Sequence, residues 1–535
     1  MHRLFYFLIL IIFLSSCHPK KSDKKKKQQP PNIIFIMTDD HAFQALSAYD
    51  DRLISTPNLD KLASEGMIFN RAFVGNSISC PSRASILTGK HSHKNGVLTN
   101  RARFDSTQQT YPKLLQEHGY QTAVIGKWHL KSQPTGFDYW RILDGLGGQG
   151  FYYHPRFRTP DSTMQKQGYT TDVITDMAIN WIKSDRDQNK PFMLMYQHKA
   201  PHREWLPAMR HLEYKKDQDI REPATLFDDY QGRGTAAKEA EMLISKHMSL
   251  TSDNKLRPEL VREMGYEPFY GWYDRVYNMH YNRLNEAQQE KWDQVYGPIN
   301  QRFREEAPKG KALTQWKYQR YMEDYLACVK AVDENVGRLM NYLDEAGLAE
   351  NTLVIYTSDQ GFYLGEHGWF DKRFMYKESF RTPLIMRWPG HIPAGAQSHQ
   401  LVQNIDFAQT MLDAAGVQIP EDMQGRSLVP LFRGDTTNWR DALYYHYYEY
   451  PGIHAVKRHY GIRTDRYKLI HFYHDIDEWE LYDLEKDPAE MHNVIDDPGY
   501  SQVKKDLKQD LDSIMHHYGD SDSLRQHYLE KSRNR

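Results

Sequence analysis

Residues 31–41 read PNIIFIMTDDH. The run Ile33-Ile34-Phe35-Ile36-Met37 is apolar without alternation. A strand with one wet face alternates polar and apolar residues. An unbroken β-branched run of this length suits a strand buried on both faces, the usual state in a parallel sheet. The run stops abruptly at Thr38-Asp39-Asp40-His41.

The same kind of segment recurs along the chain, at 121–125, 191–196 and 353–356. Helical stretches alternate with these strands. Residues 112–118 read as a helix, and 172–184 carry a stripe of Val173, Ile174, Met177, Ala178, Trp181 and Ile182 at helical spacing. A long helix over 321–346 is closed by Gly347. Strands alternating with helices predict an α/β fold with a doubly wound, mostly parallel central sheet. The 535 residues exceed one ordinary domain. We therefore expect a catalytic domain over 32–434 and a smaller α+β domain over 435–535. The smaller domain would carry strands near Tyr444–Tyr448 and Lys468–Phe472 and a helix over 501–517. Residues 210–320 interrupt the rhythm with charged, helix-prone sequence and read as an insertion without a catalytic part.

The N-terminus has its own logic. Arg3 precedes an apolar stretch, Leu4 to Leu14, too short to span a bilayer comfortably. Leu14-Ser15-Ser16-Cys17 looks like a bacterial lipobox, so 1–17 reads as a lipoprotein signal with Cys17 acylated. Residues 18–31, basic and proline-ended, read as a tether. This predicts a protein of the bacterial cell envelope, lipid-anchored at Cys17 and facing the periplasm or the cell surface. A cleaved but unanchored signal, or an uncleaved anchor, is the competing reading. Beyond Cys17 only Cys80 and Cys328 remain, so no disulfide framework is expected. Net charge is −1, which gives no footprint for nucleic acid. The 36 tyrosines and 11 tryptophans lean toward sugar binding.

In an open α/β sheet, ligands gather beyond the carboxyl ends of the strands. Asp39 and Asp40 follow the first strand, and Asp359-Gln360 follow the strand at 353–356. These hard oxygen donors suit Ca²⁺ or Mg²⁺ rather than zinc. Taken alone, an Asp-Asp pair more often caps a helix or faces solvent. Lys127 and His129, Lys199 and His202, and His367 with Lys372 lie just after further strands. Together with Arg83 they would make a cationic pocket for a compact oxyanion such as sulfate or phosphate.

Residues 76–90, NSISCPSRASILTGK, decide between these readings. From Ser79, Pro81 stands two residues on and Arg83 four, with Thr88-Gly89 beyond; from Cys80 the register fails. In this motif the chain resembles the type I, formylglycine-dependent sulfatases, whose fold is alkaline-phosphatase-like. The resemblance spans roughly 31–500. It implies that a serine-type maturase oxidises Ser79 to formylglycine and leaves Cys80 unmodified. In the hydrated aldehyde, one hydroxyl attacks sulfur and the other drives release of sulfate. It further implies one Ca²⁺ held by Asp39, Asp40, Asp359, Gln360 and the modified Ser79, with Gln360 replacing the commoner Asn. Arg83 and Lys127 would stabilise formylglycine and sulfate. His129 would act as the base that regenerates the aldehyde. His202 and Lys372 would meet the sulfate, with His202 protonating the leaving alcohol.

The stretch from Ser358 to Arg373, and the run from His454 to Asp483, are similar to bacterial N-acetylglucosamine-6-sulfatases. This resemblance implies hydrolysis of a 6-O-sulfate on glucosamine in heparan-type or mucin glycans, acting at a chain end. His454, Arg458 and His459 would contact the sugar, or else be exposed basic residues of a loop. A sulfatase for another sugar position, a phosphoester or phosphonate hydrolase of the same superfamily, and a non-catalytic sugar-binding lipoprotein are the competing readings.

Overall fold

The computed structural model describes residues 30–266 and 271–533. The signal segment, Cys17 and nearly all of the tether lie outside the described residues. Among the described residues no helix is long and apolar enough to cross a membrane.

Ten strands form the central sheet: β1 (Asn32–Thr38), β2 (Met67–Phe69), β3 (Gln121–Gly126), β4 (Tyr139–Asp144), β5 (Arg156–Arg158), β6 (Thr163–Gln165), β7 (Phe192–Gln197), β8 (Thr352–Ser358), β9 (Leu384–Arg387) and β10 (Ala396–Ser398). Their spatial order is β10-β2-β9-β8-β1-β7-β3-β4-β5-β6. The middle block β8-β1-β7-β3-β4 is entirely parallel, and antiparallel pairs are confined to its flanks. The expected doubly wound, mostly parallel sheet is present.

The unbroken apolar runs are explained by what covers each face. Ile34 and Ile36 of β1, Leu194 and Tyr196 of β7, and Val354 and Tyr356 of β8 enter one core cluster. Ile33, Phe35 and Met37, Met193 and Met195, and Leu353 and Ile355 enter the other. Side chains alternate between faces with period two, so a strand sandwiched between helical layers has no face left for a polar residue. Helix α1 (Ser79–Thr88) serves the second layer; α2 (Thr170–Asn180) and α4 (Gly310–Glu345) serve the first.

Helix α4 begins well before residue 321, so the end expected for the insertion falls inside a helix. Residues 310–320 are themselves helix-forming and continue one amphipathic face, burying Thr314, Lys317 and Tyr318. Before it lies α3 (Glu286–Glu306), whose Asn285 forms a capping box with Gln288. The C-terminal part is a four-stranded antiparallel meander of β11 (Ala442–Tyr447), β12 (His459–Thr464), β13 (Tyr467–Phe472) and β14 (Glu478–Asp483). Helix α5 (Ser501–Tyr518) packs Leu507, Leu511 and Met515 onto it.

Because Ile34 is fully buried between β1's neighbours and the α4 layer, Ile34→Ala should cost about 2–5 kcal/mol. The expected result is a lower denaturant midpoint at unchanged slope; an unchanged midpoint would contradict this packing.

Candidate active site

The parallel register of β1 and β8 pairs Thr38 with Ser358, so the residues that follow emerge side by side. The strand ends are knitted together by backbone bonds, Asp359 N to Thr38 O at 3.1 Å and Lys127 N to Gln197 O at 2.9 Å. Asp39, Asp40, Asp359 and Gln360 meet there, all fully buried. Two glycines are required by close approach. A Cβ on Gly126 would lie 1.8 Å from the Gln197 carbonyl oxygen, and one on Gly361 would lie 2.1 Å from that of Glu378.

Ser79 is the first residue of α1, and its Oγ donates to Asp39 Oδ1 at 3.2 Å. Its neighbour Cys80 turns away. The Cys80 backbone N–H donates to Asn100 Oδ1 at 3.0 Å, and burial pushes the thiol up to about 12. Cys80 and Cys328 are both free thiols. One turn along α1, Arg83 Nε donates to Asp359 Oδ2 at 3.0 Å, and its Nη1 donates to the Lys127 carbonyl at 2.7 Å and Gln197 Oε1 at 3.1 Å. Lys127 pairs with Asp39. Lys372 Nζ donates to both Asp40 oxygens, at 2.7 and 2.6 Å, and His202 Nε2 lies 3.6 Å from Asp40 Oδ2.

The electrostatics follow from burial and crowding. Burial alone would raise Asp39, but Lys127, His202, Arg83 and Lys372 hold it well below the usual carboxylate range. Burial raises Asp40 to about 6 against the pull of Lys372, with Asp39 and Asp359 adding to the rise. Burial lowers Lys127 to about 8. It also holds His129 and His202 well below the usual imidazole value, with the lysines adding to the effect.

The donor set fits a hard divalent cation. Asp39, Asp40 and His202 place ligand atoms within 4.8 Å of one another, and Asp359 Oδ1 accepts from Asp40 N at 3.2 Å. Gln360 donates its amide N–H to Asp40, while its Oε1 is buried without a partner. An orphaned buried amide oxygen beside converging carboxylates has the chemistry to serve as a ligand for Ca²⁺ or Mg²⁺.

The structure gathers Ser79, Arg83, Lys127, His129, His202 and Lys372 around these carboxylates. Of the sugar candidates, His454 comes near, its Nε2 lying 3.2 Å from Asp371, which adjoins Lys372. Arg458 is committed elsewhere, donating to Asp475 Oδ1 at 2.6 Å and the Tyr448 carbonyl at 3.1 Å. His459 is fully buried, with Nε2 accepting from Met375 N at 3.0 Å and Nδ1 against the Lys457 carbonyl at 2.8 Å. His367 also lies outside the constellation, bonded through Nδ1 to Arg233 at 2.9 Å. Asp40, His129, Asp371, Arg373 and His454 all have positive φ, a backbone conformation that non-glycine residues adopt sparingly.

Sequence reasoning missed the residues that aim the two histidines. Gln149 donates its amide to His129 Nε2 at 3.2 Å, which leaves the buried Nδ1 without a protein partner. His202 Nδ1 lies 2.7 Å from the Arg203 carbonyl, so Nδ1 carries the proton and Nε2 faces Asp40. Arg203 is in turn gripped bidentately by the buried Asp253, at 2.7 and 2.6 Å. Lys255 holds the Glu204 carbonyl at 2.7 Å, and His280 the Glu204 carboxylate at 3.0 Å. Asp253, Lys255 and His280 all lie in the insertion, so this segment fixes the turn that carries His202. Asp253→Asn should lower kcat on the order of 10- to 100-fold through misplacement of His202, with a smaller change in KM and unchanged circular dichroism. A kcat equal to that of the parent would remove the positioning role.

Comparison with known proteins agrees with this geometry. The sulfatase family model matches residues 31–417, and a model of the C-terminal region of N-sulphoglucosamine sulphohydrolase matches residues 365–517. An N-acetylglucosamine-6-O-sulfatase of Bacteroides thetaiotaomicron is 52% identical over 496 residues, covering 92% of this chain and 87% of that protein. The human N-acetylglucosamine-6-sulfatase is 26% identical over 450 residues, covering 78% of this chain and 67% of that protein. A solved structure described as a complex with its substrate D-glucosamine-2-N,6-O-disulfate superposes with a TM-score of 0.88 at 52% identity, over 93% of this chain and 99% of that one. The expectation drawn from the Ser79 motif is borne out: this chain belongs to the sulfatase family of sulfuric ester hydrolases.

Proposed function

We propose that this sulfatase removes the 6-O-sulfate from a terminal glucosamine, N-acetylated or N-sulfated, of heparan-type or mucin glycan fragments. One observation carries the reading: Ser79 Oγ donates to Asp39 inside a buried ring of three carboxylates and three cations. It does so in a chain 52% identical to an N-acetylglucosamine-6-O-sulfatase.

In this reading Asp39, Asp40, Asp359, Gln360 and Ser79 hold one Ca²⁺, and Ser79 is converted to formylglycine. Calcium and formylglycine supply, respectively, charge neutralisation at the sulfate oxygens and a nucleophile that water need not replace. The remaining duties belong to the chain's own side chains. Arg83 and Lys127 fix the carboxylates from below and present positive charge to the sulfate. Lys372 adds a third positive charge, held on Asp40. His202, with Nδ1–H fixed on the Arg203 carbonyl, turns Nε2 toward the departing sugar alcohol and would act there as proton donor only as the imidazolium, after Nε2 has taken up a proton. His129 exchanges a proton at its unpartnered Nδ1. His454, with Nδ1 2.7 Å from the Glu241 carbonyl and Nε2 3.2 Å from Asp371, would orient Asp371 and Arg373 beside Lys372 toward sugar hydroxyls rather than meet them itself. A pocket that encloses the sulfate and its own sugar favours a chain end over a chain interior.

Protein matured in its native host should show a Ser79 peptide lighter by two hydrogens, with Cys80 unchanged. Chelation should abolish turnover and Ca²⁺ restore it; zinc in the active enzyme would defeat the ligand assignment. Purified enzyme should release sulfate faster from glucosamine 6-sulfate than from a 2-O-sulfated uronate disaccharide or from intact heparan sulfate. The reverse order would end the substrate assignment while leaving the family intact. We also propose a lipid anchor at Cys17 that places the enzyme in the cell envelope, with the basic tether giving it reach. Labelled fatty acid should appear in the parent protein and vanish in Cys17→Ala; label retained by the variant would refute the anchor.

A further inference from the structure

An open hollow of about 310 Å³ lies between the segment that follows β4 and the start of α3, bordered by His154, Gln165, Gln167, Asn282, Arg283 and Asn285. No carboxylate lines it. Arg283 is its organising group. The guanidinium carbon sits 3.8 Å over the centre of the Phe151 ring. Nε donates to the Tyr153 carbonyl at 3.2 Å, and one Nη donates to the His154 carbonyl at 2.6 Å. Among the described residues Arg283 has no carboxylate within ion-pair distance, unlike Arg156 nearby, which pairs with Asp144 at 2.6 Å. A guanidinium held rigid by two carbonyls and a ring, with its charge uncompensated, is a preorganised receptor for an anion.

Its position is as informative as its charge. Phe151 lies two residues beyond Gln149, whose amide bonds His129. The same ring meets His280 edge-on at 6.1 Å, and His280 bonds Glu204, two residues beyond His202. The hollow is therefore one aromatic ring removed from the supports of both catalytic histidines. One of those supports leads to His202, the residue proposed to protonate the departing sugar alcohol. The hollow's exposed amides, Gln165, Gln167 and Asn282, are the groups that bind sugar hydroxyls, and it has room for a sugar ring.

We infer that this hollow is a subsite for the sugar residue joined to the one bearing the scissile sulfate, and that Arg283 binds an anionic group, carboxylate or sulfate, on that residue. The inference rests on the proposed 6-O-sulfatase reading.

The test compares kcat/KM on three substrates: glucosamine 6-sulfate alone, a disaccharide joining it to a uronate, and the same disaccharide with the carboxyl reduced to an alcohol. The parent enzyme should prefer the uronate disaccharide over the reduced one by about tenfold, the scale of one charge-assisted hydrogen bond. A disaccharide bearing a ring sulfate in place of the carboxylate distinguishes the two anions. Arg283→Ala should collapse the ratio of intact to reduced disaccharide toward unity. Asn282→Asp, an exposed change that leaves Arg283's own bonds in place, should lower the same ratio by placing a like charge in the hollow. A ratio near unity in the parent, or one unmoved by both variants, overturns the subsite. Turnover of none of the three substrates overturns instead the 6-O-sulfatase reading on which it depends.

Discussion

Asp39, Asp40 and Asp359 are forced together because β1 and β8 run parallel and in register, and everything around the site answers that constraint. Two carboxylates 4 Å apart repel by about 4 kcal/mol at an effective dielectric constant near 20. Burying each adds several kcal/mol unless it is paired. Arg83 from α1, Lys127 from the end of β3 and Lys372 from the loop after β8 supply the matching positive charges. The incomplete cancellation shows in Asp40, raised to about 6 by its burial. A site that balances only approximately is one in which an added divalent cation and a sulfate anion can both find favourable places.

The second constraint is orientation. The central sheet delivers His129 and His202 to the right neighbourhood but does not aim them. Gln149, twenty residues along the chain, turns His129, and the carbonyl of the very next residue, Arg203, turns His202. Asp253 braces that carbonyl through Arg203. The insertion, expected to carry no catalytic part, supplies no member of the carboxylate–cation ring but braces the turn that carries His202. Its buried Arg233, which bonds His367, ties the same segment to the loop that carries Lys372. Of the two histidines only His202 leans on the insertion, through Arg203 and Asp253; His129 is aimed by Gln149 outside it.

Much was legible in the sequence because the relevant physics is local. An unbroken apolar run has few homes other than a doubly covered strand, so β1, β3, β7 and β8 were readable, and with them the places where ligands gather. The register of Pro81 and Arg83 selected Ser79 over Cys80. In the structure Ser79 bonds Asp39, while Cys80 meets Asn100 and apolar packing. The roles of Arg458 and His459 were not readable. A basic residue in a loop looks the same whether it meets a ligand or, as here, Asp475 and a backbone amide.

The sequence by itself determined the sheet, the strand ends at which carboxylates and cations collect, and that Ser79 rather than Cys80 stands in register with Pro81 and Arg83. Each of these depends on spacing within a few residues. Only the tertiary structure decided which histidine nitrogen faces the pocket, that Asp253 and Gln149 set those orientations, and that Arg283 stands without a carboxylate beside Phe151. Apart from the Arg203 carbonyl, which adjoins His202, those are contacts between residues tens to more than a hundred positions apart. Side-chain direction and the presence or absence of a counter-charge are properties of the assembled neighbourhood, and no local pattern of residues encodes them.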